Sequence, residues 1–401
     1  MSQPVLARAP REIPVFDRGR RLFLGGLAAG ALGMAGVAVG ILVEPRQTMF
    51  SYLTAFAYCL SLALGALAWT LAFQASNSHW IVVVRRFLEV QAANVPLFAL
   101  LFIPIVIGMK HLYPWIAPDP ARGAHFIELM KHKEKYLNIP FFLIRAAFFF
   151  AYWGVVGNLL LSWSRKQDQT RSLFLTVRMR RLGAGALPLF GLTLTFAAFD
   201  WLMGLDPEWY STIFGVYYFA GGFVAAMAVL IITVTLCDRA GLLPGLVTRS
   251  HYHSMGKLLF AFLCFWASIG FSQLLIIWIA NKPDEIGYFK MRFDQGYRPV
   301  FYFIILLHFV APFLILLSKK LKQKPVLLSI MAAWVLVVHW VDLYWMVMPY
   351  KGPGFLVHWQ DAAALLGTGG FAVALSVYRL RGSMPAPVGD PYFEESTRYS
   401  K

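Results

Sequence analysis

Residues 196–223 read FAAFDWLMGLDPEWYSTIFGVYYFAGGF: one apolar run closes, a short acidic turn follows, and a second apolar run opens. A connection this short between two membrane-length runs requires antiparallel neighbouring helices. Asp200 falls about one turn before the end of the first helix, where a carboxylate is costly unless paired, hydrated or used. Pro207 is placed to stop one helix, and Ser211 or Thr212 to cap the next. Trp201, Trp209 and Tyr210 mark a water interface on that side.

Outside this hairpin the composition points the same way. The hydrophobic fraction is 59% and charged residues are only 14%, where a soluble domain carries roughly a quarter charged residues. The chain is expected to be an all-α polytopic membrane protein. Its formal charge of +16 does not indicate nucleic-acid binding, because Lys and Arg flank the apolar runs and no nucleic-acid motif is present. Cys59, Cys237 and Cys264 form no CxxC, CxxCH or ferredoxin spacing, which argues against iron–sulfur clusters and covalent haem c in this chain. Arg18, Arg20 and Arg21 precede an apolar run of about 22 residues, longer than a secretory h-region of roughly 7–15, so this run reads as an uncleaved first span.

Runs of about 20 apolar residues give transmembrane helices near 22–43, 50–73, 80–108, 139–162, 184–204, 212–236, 257–279, 298–317, 325–348 and 355–379, ten in all. They form a membrane domain over 22–380, between an N-terminal tail (1–21) and an extended C-terminal tail (381–401). Loop Lys and Arg favour the side of the N-terminus by roughly two to one, which places both termini in the cytoplasm. Two outer loops are longer than the rest. Residues 109–138 can form an amphipathic helix around 127–136. Residues 280–298 alternate charges with aromatics, as a partner contact does. The polar, Pro-punctuated tail reads as extended or disordered until something binds it.

Polar residues inside the spans are the candidates for chemistry. The third span carries Arg85, Arg86, Glu89, Gln91, Asn94 and Pro96; Arg85 and Glu89, at i,i+4, can pair. Arg86 reads as a snorkelling interfacial arginine, and Glu89 as deeper, sharing a face with neither Arg86 nor Gln91. His339 with Asp342, and His358 with Asp361, are i,i+3 pairs on one helix face. Both carboxylates come out about 9 Å below the outer surface, and Asp200 about 6 Å. With Arg145 and Gln273 in the same half, these residues could line an outward-facing polar pocket. Mutual hydrogen bonding, proton exchange and headgroup binding all remain open for the His/Asp pairs. His308 lies near mid-membrane. A second facing histidine would be needed to ligate haem b, and none is evident at that depth. In depth order Glu89, Asn94, His308, Asp200, His339, Asp342, His358 and Asp361 would make two half-channels for protons, with a gap between Glu89 and His308. A secondary transporter would want broken midplane helices and an inverted repeat, and the sequence displays neither.

The 196–223 stretch, GKLLFAFLCFWASIGFSQLLIIWIANKPDE (256–285), HFVAPFLILLSKKLK (308–322), HWVDLYWMVMP (339–349) and PVGDPYFEES (387–396) together resemble ActF, a membrane subunit of bacterial alternative complex III. That family is in turn similar to NrfD/polysulfide-reductase membrane subunits. The resemblance is specific from 196 onward and rests on helix count and pattern before that. NKPDE at 281–285 departs from a family pattern closer to NLPEE. The resemblance implies ten helices, eight of them in two four-helix bundles with one helix flanking each. It implies a bacterial inner-membrane subunit of a quinol oxidoreductase, without its own redox cofactor, that conducts protons or anchors the assembly. Quinol, haem c and iron–sulfur clusters would reside in partners: an NrfD-like companion that holds quinol, an iron–sulfur subunit and haem c subunits, with lipids and a terminal oxidase as further contacts. A quinol-binding NrfD-like role, using a pocket around His339, Asp342 and Arg145, is the alternative.

Overall fold

The computed structural model describes residues 13–400, so residues 1–12 of the expected N-terminal tail lie outside it. The described residues are all-α, with no strand among them. Ten helices are long and apolar enough to span a bilayer: α1 Arg20–Val43, α2 Pro45–Ala75, α3 Val82–Ile107, α4 Ile139–Thr170, α5 Leu173–Leu205, α6 Phe214–Arg239, α7 Arg249–Ala280, α8 Arg298–Leu316, α9 Pro325–Tyr350 and α10 Trp359–Leu380. The protein is a multi-pass integral membrane protein.

Helix α2 is apolar all round rather than striped, and it is accordingly surrounded, touching α1, α3, α5, α6, α9 and α10. Helices α2–α5 pack as one group and α6–α9 as another, joined where α2 meets α6. The remaining two, α1 and α10, pair along their length and lie against the first group, so they are found together and not one beside each bundle. Their contact is built from small residues. A Cβ on Gly33 would come within 2.1 Å of the Gly367 nitrogen, and one on Gly26 within 2.9 Å of the Gly370 carbonyl. Such close backbone approach is how helices associate where no hydrophobic force separates them from lipid.

Several helices outrun their apolar cores. Helix α5 begins at Leu173, not near 184, and α7 at Arg249, not near 257. Only Arg171 and Ser172 separate α4 from α5, with Arg171 in the left-handed region (φ 49°). Apolar length marks the bilayer crossing, but nothing in the charged residues beyond it stops a helix, since Arg and Lys are good helix formers. Helix α3, by contrast, is interrupted, at Ala93–Asn94 and again at Phe102, just before the helical segments that carry Pro96 and Pro104. A broken span, unforeseen in the sequence, is therefore present. The long loops carry surface helices, Ala124–Lys133 and Pro283–Asp294.

The 196–223 hairpin departs from its reading in detail. The α-helical part of α5 ends at Trp201 and the span closes with a 3-10 turn at Met203–Leu205; α6 begins after Ile213 with no side-chain cap from Ser211 or Thr212. Trp201 and Trp209 are buried, leaving Tyr210, 62% exposed, as the interfacial aromatic. Trp201 stacks on Phe150 at 5.2 Å, and Trp209 on Tyr288 at 4.3 Å beneath the second surface helix.

The C-terminal tail is not free. It runs back over the same chain as a strap ending in the short helix Phe393–Thr397. Asp390 bonds Arg85 (2.9 Å), Ser396 accepts from the Val83 amide (3.2 Å), Tyr392 stacks on His79 (3.7 Å), and the Tyr399 hydroxyl meets Ser254 (2.8 Å). Gly389 crosses so close to α4 that a Cβ there would lie 2.0 Å from the Gln167 carbonyl. Composition suggested an unpartnered segment because the strap is polar. Its polar partners are groups of the bundle, Arg85 and Ser254 among them buried, while Ala386 and Phe393 join the apolar core.

Candidate functional site

Five of the sequence-predicted positions take part in local sets of bonds, apart from the remaining three. Glu89 faces both arginines, with Arg85 Nε at 2.7 Å and Arg86 Nε at 3.3 Å. Arg86 is fully buried and also bonds Asp168 (2.7 Å). The snorkelling reading of Arg86 is therefore corrected, as is the view that Glu89 shares no face with it. Residues i and i+3 lie side by side on a helix, and Asp168, reached by the extended α4, supplies the second carboxylate. Asp200 is clamped by Arg145 through two parallel bonds of 2.7 and 2.9 Å, with Arg145 also stacked on Tyr136 at 3.9 Å. This pair joins α4 to α5, and no hydrogen bond or ion pair among the described residues links it to His339 or Asp342. Asn94, at the break in α3, donates to Ser376 of α10 (2.6 Å). His358 and Asp361 form a capping box at the start of α10, where the Asp361 carboxylate accepts from the His358 amide (2.8 Å). Asp361 is thus in the first helical turn, nearer the helix start than the sequence reading placed it.

The remaining three converge. His308 and His339 come from facing helices with ring centroids 6.3 Å apart, both buried. His339 therefore faces His308, a pairing the sequence reading did not make, because facing between distant spans leaves no local pattern. His308 sits in a π-helical segment, Ile304–Val310, within α8. Such wide turns shift a side chain's direction and recur at functional sites. It packs against Trp266 at 4.1 Å. His339 Nε2 lies 3.0 Å from Ser61 Oγ, and Gly221 makes room for the imidazole, since a Cβ there would lie 2.8 Å from His339 Cε1. Asp342, one turn further along α9, accepts from the Tyr217 hydroxyl (2.5 Å) and from Trp266 Nε1 (3.1 Å). Trp266 thus touches His308 through its face and Asp342 through its N–H.

Neither ring nitrogen of His308, nor Nδ1 of His339, has a protein hydrogen-bond partner. Buried polar atoms are normally satisfied, so unpaired imidazole nitrogens inside a membrane call for a functional explanation. Ser61, Tyr217 and Trp266 were not singled out from sequence. A serine, a tyrosine and a tryptophan in apolar runs carry no signal until their neighbours are known. On α10, further along from Asn94's partner Ser376, lies Thr368, whose hydroxyl is 3.4 Å from Cys59 Sγ on α2. Gln273 stands on α7, and no hydrogen bond joins it to the cluster.

Among the described residues, no three His, Cys, Asp or Glu side chains are grouped as a metal site would require. No known family model matches the chain, and no curated protein matches it significantly. What the fold and site define is a ten-helix, multi-pass membrane protein with a buried histidine pair beside a carboxylate.

Proposed function

We propose that the chain is a membrane subunit of a respiratory quinol oxidoreductase of the alternative complex III type, without its own redox cofactor, and that it moves protons through His308, His339 and Asp342. The family part of this reading is supported by the ActF-like stretches along the chain and by the ten-helix order. The proton part is carried by one observation: two buried imidazoles with unpaired nitrogens stand beside a carboxylate held by Tyr217 and Trp266. Imidazole exchanges protons near neutral pH, and intramembrane histidines and carboxylates mark proton relays. Asp342 would take a proton from the side of the 196–223 turn and pass it through Tyr217 or the adjoining imidazoles. His308, set on the wide turn of α8, would hold it near the middle of the bilayer. The other half would run by Cys59, Thr368, Ser376 and Asn94 towards the Glu89 network. With both termini in the cytoplasm of a bacterial inner membrane, that network would face the cytoplasm. The quinol-binding, iron–sulfur and haem c subunits would be its partners.

Asp342→Asn keeps shape and hydrogen-bonding capacity while removing the exchangeable acid, and His308→Gln does the same for the imidazole. In sealed vesicles containing the whole complex, both variants should keep quinol oxidation and lose protons moved per electron. An unchanged ratio in both would leave the cluster a packing device.

A further inference from the structure

Helix α3 lies against both α4 and α10. Where it breaks, at Ala93–Asn94, side chains of those two helices meet across it. Asn158 of α4 donates to the Ala93 carbonyl (3.4 Å) and accepts from Arg379 of α10 (2.9 Å). Arg165, two turns further along the same face of α4, donates to the Arg379 backbone carbonyl. Both arginines are half-buried and stand in the closing turns of their helices. Arg86 on α3 is matched by Glu89 and Asp168. Arg165 and Arg379 form no ion pair among the described residues, and the Nε of each lacks a hydrogen-bond partner. Two neighbouring guanidiniums without a counter-ion are costly unless an anion joins them. Asn158 is also the end nearest the arginines of a groove of about 670 Å³ between α3 and α4. Small residues form much of it, Pro96, Ala99, Ala151 and Gly154 among them, and exposed Ile103 and Val155 show that it opens to lipid. Asn158 is its one polar lining residue, and that amide is already bonded through both its nitrogen and its oxygen.

From this juxtaposition we infer that the face between α4 and α10 seats one anionic phospholipid, drawn from the leaflet on the side where α4 and α10 end. Its phosphate lies on Arg165 and Arg379, and one acyl chain passes Asn158 into the groove. Basic pockets between transmembrane helices recognise anionic headgroups, and a guanidinium suits a phosphate because it offers parallel charged donors. From Arg165 to Ala151 is about 21 Å along α4, about half the 40–45 Å thickness of a bilayer with its headgroups. An apolar groove whose single amide is already bonded takes an alkyl chain and offers no partner to a polar group. The site shares no residue with the centre formed by His308, His339 and Asp342, and it does not depend on the proton reading.

The test uses the full chain in detergent micelles and counts bound lipid by native mass spectrometry. Two probes with the same acyl chains are offered, phosphatidylglycerol and phosphatidylcholine. The parent should retain one phosphatidylglycerol per chain and bind phosphatidylcholine about tenfold more weakly, since the choline cation offsets the phosphate beside two arginines. The double variant Arg165→Gln, Arg379→Gln should weaken phosphatidylglycerol binding about tenfold or more, as expected for loss of hydrogen bonds from charged donors. Ala151→Phe fills the groove from an exposed position and leaves both arginines in place. It should weaken binding by a similar factor, and it tests the site even where the arginine variant fails to fold. Equal binding of the two lipids by the parent would overturn the proposal, as would phosphatidylglycerol binding unchanged in either variant. A parent that retains no phospholipid would also overturn it and leave the face to a partner's helix. None of these outcomes depends on the proton-to-electron ratio, so failure of one reading is distinguishable from failure of the other.

Discussion

Asp390→Ala removes the carboxylate that the C-terminal strap places on buried Arg85. Truncating one partner of a buried pair typically costs about 3–5 kcal/mol, because the remaining charge is left without its counter-ion. Arg85 keeps Glu89 at 2.7 Å, which puts the expected cost at the lower end, about 3 kcal/mol, or roughly a hundredfold more strap opening. Two other strap contacts give the scale. Ser396 accepts from the Val83 amide in the first turn of α3 and so does the work of a missing N-cap; Ser396→Ala should cost about 1 kcal/mol. Glu395 is 63% exposed where it meets His79, and Glu395→Gln should cost about 0–1 kcal/mol. Hydrogen exchange read by mass spectrometry, in detergent micelles, reports all three on peptides covering 81–88 and 388–400. The expected order of loosening is Asp390→Ala, then Ser396→Ala, then Glu395→Gln. If Glu395→Gln loosens the strap as much as Asp390→Ala, the buried pair does not hold it and the reasoning fails.

Arg145→Leu should lower stability by about 3–5 kcal/mol by stranding Asp200, while the double variant with Asp200→Leu should recover much of the loss; thermal unfolding of the two separates a clamp from a contact that contributes little. Burial holds the Asp206 carboxyl above its ordinary value, outweighing its backbone bond from Glu208. A raised carboxyl favours the folded state at low pH and loses that contribution as pH rises through the raised value. Asp206→Asn should therefore raise the melting temperature at pH 8 and change it little at pH 4, and the opposite pattern would contradict the burial account.

Much of the fold was legible because a bilayer imposes one simple rule: about 20 apolar residues per crossing. Local pairings were legible for the same kind of reason. Arg85 with Glu89, and Asp361 with the start of its own helix, are set by spacing along one helix. The centre formed by His308, His339 and Asp342 needs two further facts that spacing does not contain. One is the wide turn at Ile304–Val310, which redirects His308. The other is the rotation of α6, which brings Tyr217 to Asp342 and leaves a glycine, Gly221, opposite His339. The strap was misread for a related reason, since its polar residues resemble a solvated tail until Arg85, Trp80 and Ser254 are seen to receive them.

The glycine contact between α1 and α10 has a consequence for how the protein is made. The backbones of Phe16 and of the Gly382–Ser383 turn also exchange hydrogen bonds of 3.0 and 2.9 Å, so α1 is completed only by α10, which is made after all the spans between them. Until then α1 stands in the bilayer with its glycine face bare, available to any other small-faced helix inserted meanwhile. Quality control during insertion would have to shield that face until α10 is in place. A ribosome stalled anywhere before α10 would leave α1 without its mate.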